Sequence, residues 1–106
     1  MVNITVFKKH GDYAGFESSG HAGYGEEGND IVCAAVSALL INTVNSIETF
    51  TEDDFSGEEG DGYLSLHFTG KISEKSELLM DSLMLGLKMI EENYGHKFLE
   101  ITTKEV

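Results

Sequence analysis

The sequence predicts an α+β protein of two layers, in which two long helices cover one face of a mostly antiparallel five-stranded sheet in the order ββαββαβ. Residues 2–9 alternate between apolar and polar side chains, as a strand with one buried face does. Two segments, near residues 30–50 and 73–94, are apolar at helical spacing and too long for strands. Stacking such helices on one face of a sheet buries their apolar sides against it.

Residues 2–9 are predicted to form the first strand. One face carries Val2, Ile4 and Val6, and the other carries Asn3, Thr5 and Phe7. Residues 10–12 read HGD, which is typical of a turn. Residues 13–19 are predicted to return as an antiparallel strand, with Ala14 and Phe16 facing inward. The chain therefore begins with a β-hairpin.

Residues 20–29, GHAGYGEEGN, contain four glycines and no apolar period, which predicts a loop. From Asp30 to Phe50 the apolar residues predict a helix of about five turns. Asn29 or Asp30 can cap its N-terminus, where a negative charge is favoured by the helix dipole. The first half of this helix is apolar nearly all round, so we expect it to be buried on more than one side.

A second hairpin is predicted over residues 52–69, with its turn at residues 59–62. The second helix is expected to run from Ser73 to Tyr94 and to end before a glycine suited to a C-cap. Residues 97–103, KFLEITT, complete the order as a strand. No linker or repeat interrupts the chain, and residues 1–106 are predicted to be a single domain.

The apolar arcs of both helices are wider than one contact with a sheet requires. Two explanations fit the pattern. The arcs form the interface of a homodimer, or the two helices only bury each other.

The composition excludes several classes of function. With 7 basic and 19 acidic residues the formal net charge is −12, and all the basic residues are lysines. We therefore expect no binding to nucleic acid or to anionic membranes, since both require basic surfaces. A single cysteine cannot form an internal disulfide. No signal segment and no run of about 18 apolar residues is apparent, so a soluble, cytoplasmic protein is expected.

Cys33 and His21 lie on either side of the glycine-rich loop. Cys33 follows Asp30 by three positions and is predicted to lie inside the first turn of the helix, where the positive end of the dipole favours a thiolate. A nucleophilic thiolate needs a base within hydrogen-bond reach, and the loop is long enough to bring the His21 ring to it. His21 would then take the thiol proton and later protonate the leaving amine.

Each of these residues also has an ordinary structural explanation. A lone cysteine in an apolar helix is usually a small core residue, and a histidine beside glycine is usually exposed. The four glycines lack the lysine and hydroxyl of a phosphate-binding loop, and the acidic residues around them repel anions. The histidines and the cysteine show no paired short spacing, so neither a metal nor another cofactor is expected.

The stretches Gly20-His21-Ala22-Gly23-Tyr24-Gly25 and Gly28-Asn29-Asp30-Ile31-Val32-Cys33-Ala34-Ala35-Val36-Ser37 resemble the signature of the ribosomal-processing cysteine proteases, the Prp family. The pattern in that family is a GHAGY loop followed by G-x-D-[IV]-VCAAVS. The match covers this segment almost without a gap and is highly specific, because both halves recur at the family's spacing.

The resemblance implies a cysteine endopeptidase that removes an N-terminal extension from a large-subunit ribosomal protein, cutting after paired aromatic residues. By the same resemblance His21 and Cys33 are the catalytic dyad, with Asp30 and Ser37 supporting it. It also implies homodimers that form through the helices. The net charge would attract a basic ribosomal substrate, and Tyr24 is a candidate contact for its aromatic residues.

The predicted substrate-binding or loop residues are Gly20, Gly23, Tyr24 and Gly28, since glycines allow a loop to open and close over a site. The alternative function is a non-catalytic acidic module that binds a basic ribosomal or assembly protein, with Cys33 merely packed. A binding module alone has no need of His21 and Cys33 on either side of a glycine-rich loop, which favours the protease.

Overall fold

The computed structural model describes residues 1–20 and 29–106. Its elements follow the predicted order ββαββαβ, and the α+β class is confirmed. Their bounds are β1 Val2–Lys9, β2 Asp12–Ser19, α1 Asn29–Phe50, β3 Phe55–Gly60, β4 Tyr63–Phe68, α2 Glu74–Tyr94 and β5 Leu99–Glu105.

The five strands form one sheet in the order β3-β4-β2-β1-β5. The two predicted hairpins, β1–β2 and β3–β4, are antiparallel, and β4 also lies antiparallel to β2. The last strand differs, because β5 lies parallel to β1, with Val2 opposite Leu99. The sheet is therefore mixed, with a single parallel pair at one edge.

A β-bulge in the first hairpin changes which side chains of β2 face inward. Phe7 lies opposite Gly15, and the next residue of β1 lies opposite Tyr13, so Ala14 is an extra residue. Tyr13 is consequently buried, with 7% of its surface exposed, and Ala14 is only half-buried. The prediction that Phe16 faces inward is confirmed, and the same prediction for Ala14 is wrong because the bulge reverses the alternation.

Both helices contribute to a core on one face of this sheet. The sheet supplies the alternate residues of β1, two residues of β2 and one each from β4 and β5, and each helix supplies a stripe at helical spacing. The largest fully buried side chains among the described residues are Ile4, Val6, Phe16, Val32, Val36, Leu40, Ile47, Leu66, Met80, Leu83, Leu87 and Leu99. The predicted two-layer arrangement follows from these contacts.

The outer faces of the helices remain apolar and exposed in the single chain. On α1, Ile31 and Ile41 are 58% and 47% exposed, and on α2 the residues Leu78, Leu85 and Met89 are more than half exposed. The expectation that α1 is buried on more than one side is therefore wrong for the single chain. Its stripe through Val32, Val36 and Leu40 is buried and its opposite side is not.

Helix α1 is apolar along most of its length. Residues 31–50 have a mean hydropathy of 1.6, so by length and composition this segment could cross a membrane. The expectation that no segment is long and apolar enough is wrong by this measure. The same composition is typical of a helix that supplies one side of a protein core, and α1 does so through Val32, Val36, Leu40 and Ile47.

The N-terminus of α2 is fixed by a carboxylate from the preceding loop. Ser73 is the N-cap, and its hydroxyl accepts a hydrogen bond from the backbone N–H of Ser76. Oδ2 of Asp53 in turn accepts from the Ser73 N–H at 3.0 Å, from the Ser73 hydroxyl at 2.6 Å and from the Ser76 hydroxyl. These bonds connect the segment that follows α1 to the start of α2.

Candidate active site

The candidate nucleophile lies near the start of α1. The helix begins at Asn29, so Cys33 is its fifth residue and opens the second turn rather than lying inside the first. Helical side chains lean toward the N-terminus, and the thiol of Cys33 therefore lies over the first turn. Cys33 is a half-buried free cysteine. It is thus partly accessible and is not enclosed in the core.

Cys33 opens into a cleft of about 200 Å³ between α1 and one end of the sheet. The helix contributes one wall, the ends of β1, β2 and β4 form the floor, and the β3–β4 turn forms the rim. The residues that line this cleft include Val2, Ser18, Val36, Leu40 and Leu64. This volume is smaller than the ~300–1,000 Å³ of pockets for drug-sized ligands, so the cleft suits a single side chain of a longer molecule.

The walls of the cleft are mainly apolar, and its polar groups are few. Ser37 and Glu59 lie at the exposed mouth, whereas Ser18 lies at the floor with 8% of its surface exposed. Glu59 is the one carboxylate in the lining that the structure describes. An apolar cavity with a few placed polar groups beside a thiol is the usual form of a site that binds and positions a substrate.

Gly20 is a predicted site residue that the structure places at the cleft. It has φ +110°, a backbone conformation that residues with a side chain rarely adopt, and a Cβ here would collide with the carbonyl oxygen of Met1. Its N–H donates a 3.0 Å hydrogen bond to the carbonyl of Gly62 in the β3–β4 turn. The start of the glycine-rich segment is thereby fixed beside Cys33, and only glycine fits there.

Ser37 also lies at the cleft, one helical turn after Cys33 on the same face of α1. Its side chain is exposed. The structure therefore brings Gly20, Cys33 and Ser37 together at one cleft.

The remaining predicted residues are only partly described. His21, Gly23, Tyr24 and Gly28 lie outside the described residues. Asp30 is the second residue of α1, and its side chain lies outside the described part of the structure.

The cleft residue that sequence reasoning missed is Ser18. A signal was available, because Ser18 has the same strand parity as the inward-facing Phe16 and is a polar residue at an inward position. Glu59 is a further cleft residue, and nothing in its sequence context distinguishes it from the neighbouring acidic residues. Within the described part of the chain no group of three or more His, Cys, Asp or Glu side chains is placed to hold a metal ion.

Known proteins share both the sequence and the fold. The family model "Cysteine protease Prp" matches residues 1–98. The ribosomal processing cysteine protease Prp of Staphylococcus aureus is 33% identical over 96 residues, which are 89% of this chain and 90% of that protein. The protein of the same name from Bacillus subtilis is 31% identical over 111 residues, with 97% of each chain covered.

A solved structure shows the same architecture. The S. aureus protease Prp in complex with a substrate peptide superimposes with a TM-score of 0.90 at 26% identity, covering 98% of this chain and all of that one.

Proposed function

This chain belongs to the cysteine protease Prp family, and we propose that it removes the N-terminal extension of a large-subunit ribosomal protein with Cys33 as nucleophile and His21 as general base. The observation that carries the proposal is that Cys33 and Gly20, the residue before His21, line the same cleft. Both ends of the glycine-rich segment therefore lead to one site.

In this mechanism the His21 imidazole takes the thiol proton, and the Cys33 sulfur attacks the scissile carbonyl carbon. The tetrahedral oxyanion is stabilised by free backbone N–H groups at the start of α1. His21 then donates its proton to the leaving amine, and a thioester forms on Cys33. Water hydrolyses the thioester, with His21 again acting as base, and the free thiol is restored.

Asp30 and Ser37 are assigned supporting roles. Asp30 is in the first turn of α1, one turn before Cys33, where its carboxylate would orient the His21 ring or stabilise the helix N-terminus. Ser37 at the mouth of the cleft would contact the substrate backbone. Gly23 and Gly28 would let the loop close over the bound peptide, and Tyr24 would pack on its aromatic residues.

The charge of the chain supports a basic substrate. The net charge of −12 produces a field that attracts cationic proteins and repels nucleic acid. Glu59 at the mouth of the cleft adds a negative charge where the extended peptide would enter. A ribosomal protein is basic and is made in the cytoplasm, where we expect this enzyme to act.

We also propose that the chain forms a homodimer through its helices. The exposed residues Ile31 and Ile41 on α1 and Leu78, Leu85 and Met89 on α2 provide an apolar surface for a second copy. Light scattering at micromolar concentration should then report about twice the mass of 11.6 kDa. A single species of monomer mass would contradict the dimer and leave the protease proposal unaffected.

The deciding experiment incubates the extended ribosomal protein with the wild type, Cys33→Ala, His21→Ala and the matched control Ser46→Ala under reducing conditions. The wild type and Ser46→Ala should trim the extension, whereas the other two should not, with mass spectrometry locating the cut. If wild-type protein binds the extended form without cutting it, the non-catalytic binding function is correct instead. Trimming by Cys33→Ala would contradict the nucleophile.

A further inference from the structure

A second cavity lies on the outer face of the sheet, opposite to the face that packs on the helices. This outer pocket has a volume of about 300 Å³ and is lined by residues of β2, β3 and β4. Glu17, Ser65 and Glu58 lie directly opposite one another across these three strands, with Ser65 in the middle. Opposite residues on neighbouring strands are about 5 Å apart, so a carboxylate stands on either side of the Ser65 side chain.

The floor of the outer pocket is a buried hydroxyl. Ser65 is only 3% exposed, although it points away from the core that Leu64 and Leu66 join. Within residues 1–20 and 29–106, no side chain or backbone group forms a hydrogen bond with this hydroxyl. Burying a hydroxyl without a partner costs free energy, so the position is suited to a polar group that arrives from outside the fold.

Two rings stand along β4 on either side of Ser65. Tyr63 and His67 are each two residues away and therefore lie on the same face of the sheet. Nε2 of His67 is 3.3 Å from Oε1 of Glu17, and its ring centre is 5.5 Å from that of Phe7. These contacts hold His67 as one wall and occupy a single oxygen of Glu17.

The lining selects a cation with N–H donors. It contains two carboxylates and, in the part of the chain that is described, no lysine. A tyrosine ring attracts cations, and a serine oxygen accepts a hydrogen bond from an ammonium or a guanidinium group. No three His, Cys, Asp or Glu side chains among the described residues are placed to hold a metal ion. The lining therefore suits the side chain of lysine or arginine.

The outer pocket adjoins the candidate active site. Tyr63 lines both the outer pocket and the cleft that contains Cys33. Ser65 is two residues further along β4, which corresponds to about 7 Å. A polypeptide that is bound in the cleft and continues past Tyr63 would reach the outer pocket within a few residues.

We propose that the outer pocket is an exosite, which binds a lysine or arginine side chain of the substrate protein outside the residues held in the cleft. The inference rests on the proposed function, which supplies a basic substrate. The net charge of −12 attracts any cationic protein, whereas the outer pocket requires a basic residue at one position of the bound chain. The exosite would thus add selection by position to attraction by charge.

The experiment uses peptides that span the cleavage site of the extended ribosomal protein. All basic residues are replaced by norleucine, which keeps the methylene groups of lysine and lacks its charge, and one lysine is restored at each position in turn. At one position, lysine should raise kcat/KM about five- to tenfold over the all-norleucine peptide, as exposed ion pairs and a cation–π contact would together produce.

Glu17→Gln, Glu58→Gln and Ser65→Ala should each reduce this ratio. Glu100→Gln is the matched control, because Glu100 lies on the same face of the sheet, opposite Asn3 on β1, and outside the outer pocket. It removes the same charge and should leave the ratio unchanged. Ser65→Ala changes no charge, so its effect cannot come from the long-range field. Both peptides are measured on the same enzyme, and a general loss of activity cancels in the ratio.

A ratio near one at every position in the wild type would overturn the exosite and leave the protease function intact. An equal reduction by Glu100→Gln and Glu58→Gln would do the same. If Glu58→Gln changes the mass measured by light scattering and not the ratio, the outer pocket joins two copies of the chain, and the inference is wrong.

Affinities of the lysine and norleucine peptides for Cys33→Ala and for Glu58→Gln/Cys33→Ala provide a second measurement. Tighter binding of a lysine peptide to Cys33→Ala that is lost in the double variant would support the exosite, and equal affinities would overturn it. If the wild type cleaves no peptide, the proposed function fails, and these affinities decide on the outer pocket alone.

Discussion

The phenolic hydroxyl of Tyr13 donates a 2.6 Å hydrogen bond to Oδ1 of Asp81 and so joins β2 to α2 across the two layers. The backbone N–H of Tyr13 also donates to the Glu77 carboxylate at 3.3 Å. Nζ of Lys8 lies 4.5 Å from the centre of the Tyr13 ring. This contact exists because the β-bulge at Ala14 turns Tyr13 inward.

Tyr13→Phe should lower the free energy of unfolding by about 1–2 kcal/mol, because the hydrogen bond to a charged acceptor is lost while the ring remains packed. Urea denaturation measures the change. Tyr94→Phe is the control, since the side chain of Tyr94 is 43% exposed on α2. Equal effects of the two substitutions would contradict a stabilising Tyr13–Asp81 bond.

Stability should also depend on Tyr13 at high pH. Burial of the ring, the hydrogen bond to Asp81 and the nearby negative charges raise the pKa of Tyr13 well above its ordinary value. The neutral phenol is therefore favoured by folding, and its contribution is present below the unfolded pKa of about 10 and is lost as the pH rises above it. Unfolding free energy should fall more steeply above pH 10 in the wild type than in Tyr13→Phe.

Acid should weaken the connection at the start of α2. Hydrogen bonds from Ser73 and then Ser76 hold the pKa of Asp53 below its usual range. The carboxylate is thus favoured by folding, and its contribution is present above the ordinary pKa of about 4 and is lost as the pH falls below it. Asp53→Ala should lower the free energy of unfolding at pH 7 by about 1–2 kcal/mol. Between pH 5 and pH 2 the variant should lose less unfolding free energy than the wild type does. Chemical denaturation across that range tests it, with Asp54→Ala as the control.

Gly20→Ala should destabilise the protein by about 2–4 kcal/mol, because a Cβ would strain a positive φ and collide with the Met1 carbonyl. Gly70→Ala is the matched control, since a Cβ at Gly70 meets nothing within 4 Å and its φ is not positive. Thermal denaturation of both variants distinguishes the cases. A Gly20→Ala protein as stable as Gly70→Ala would contradict the close approach at the cleft.

Cleavage of a basic substrate should slow as salt is added. The Debye length falls from about 10 Å at 0.1 M to about 3 Å at 1 M, so the attraction of a −12 enzyme for a cationic protein is screened. We expect kcat/KM for the extended ribosomal protein to fall several-fold over this range. A short uncharged peptide with the same cleavage site should show little change. If kcat/KM falls equally with salt for both substrates, the net charge does not attract the substrate as proposed.

Much of this arrangement could be read from the chain because it depends on local spacing. The predicted limits of α2, from Ser73 to Tyr94 before a C-capping glycine, agree to within one residue with the observed helix, which begins at Glu74 and ends before the C-cap Gly95, because they depend on residues close together in the chain. The order of elements is equally local. Periodicity also identifies which side of β1 is buried.

Other features depend on contacts between distant segments. The alternation of β5 shows that one face is buried, but not that the strand lies parallel to β1. The bulge at Ala14 depends on how two strands pair, and it overturns the predicted inward orientation of Ala14. No spacing in the sequence predicts these pairings.

The sequence by itself determined the family and the candidate dyad, because the motif that contains His21 and Cys33 is contiguous. Only the tertiary structure showed that Gly20, Cys33, Ser37 and Ser18 line one cleft. The physical reason is that a cleft is enclosed by surfaces of separate elements. The packing of α1 on the strand ends, rather than the order of residues, decides which side chains meet there.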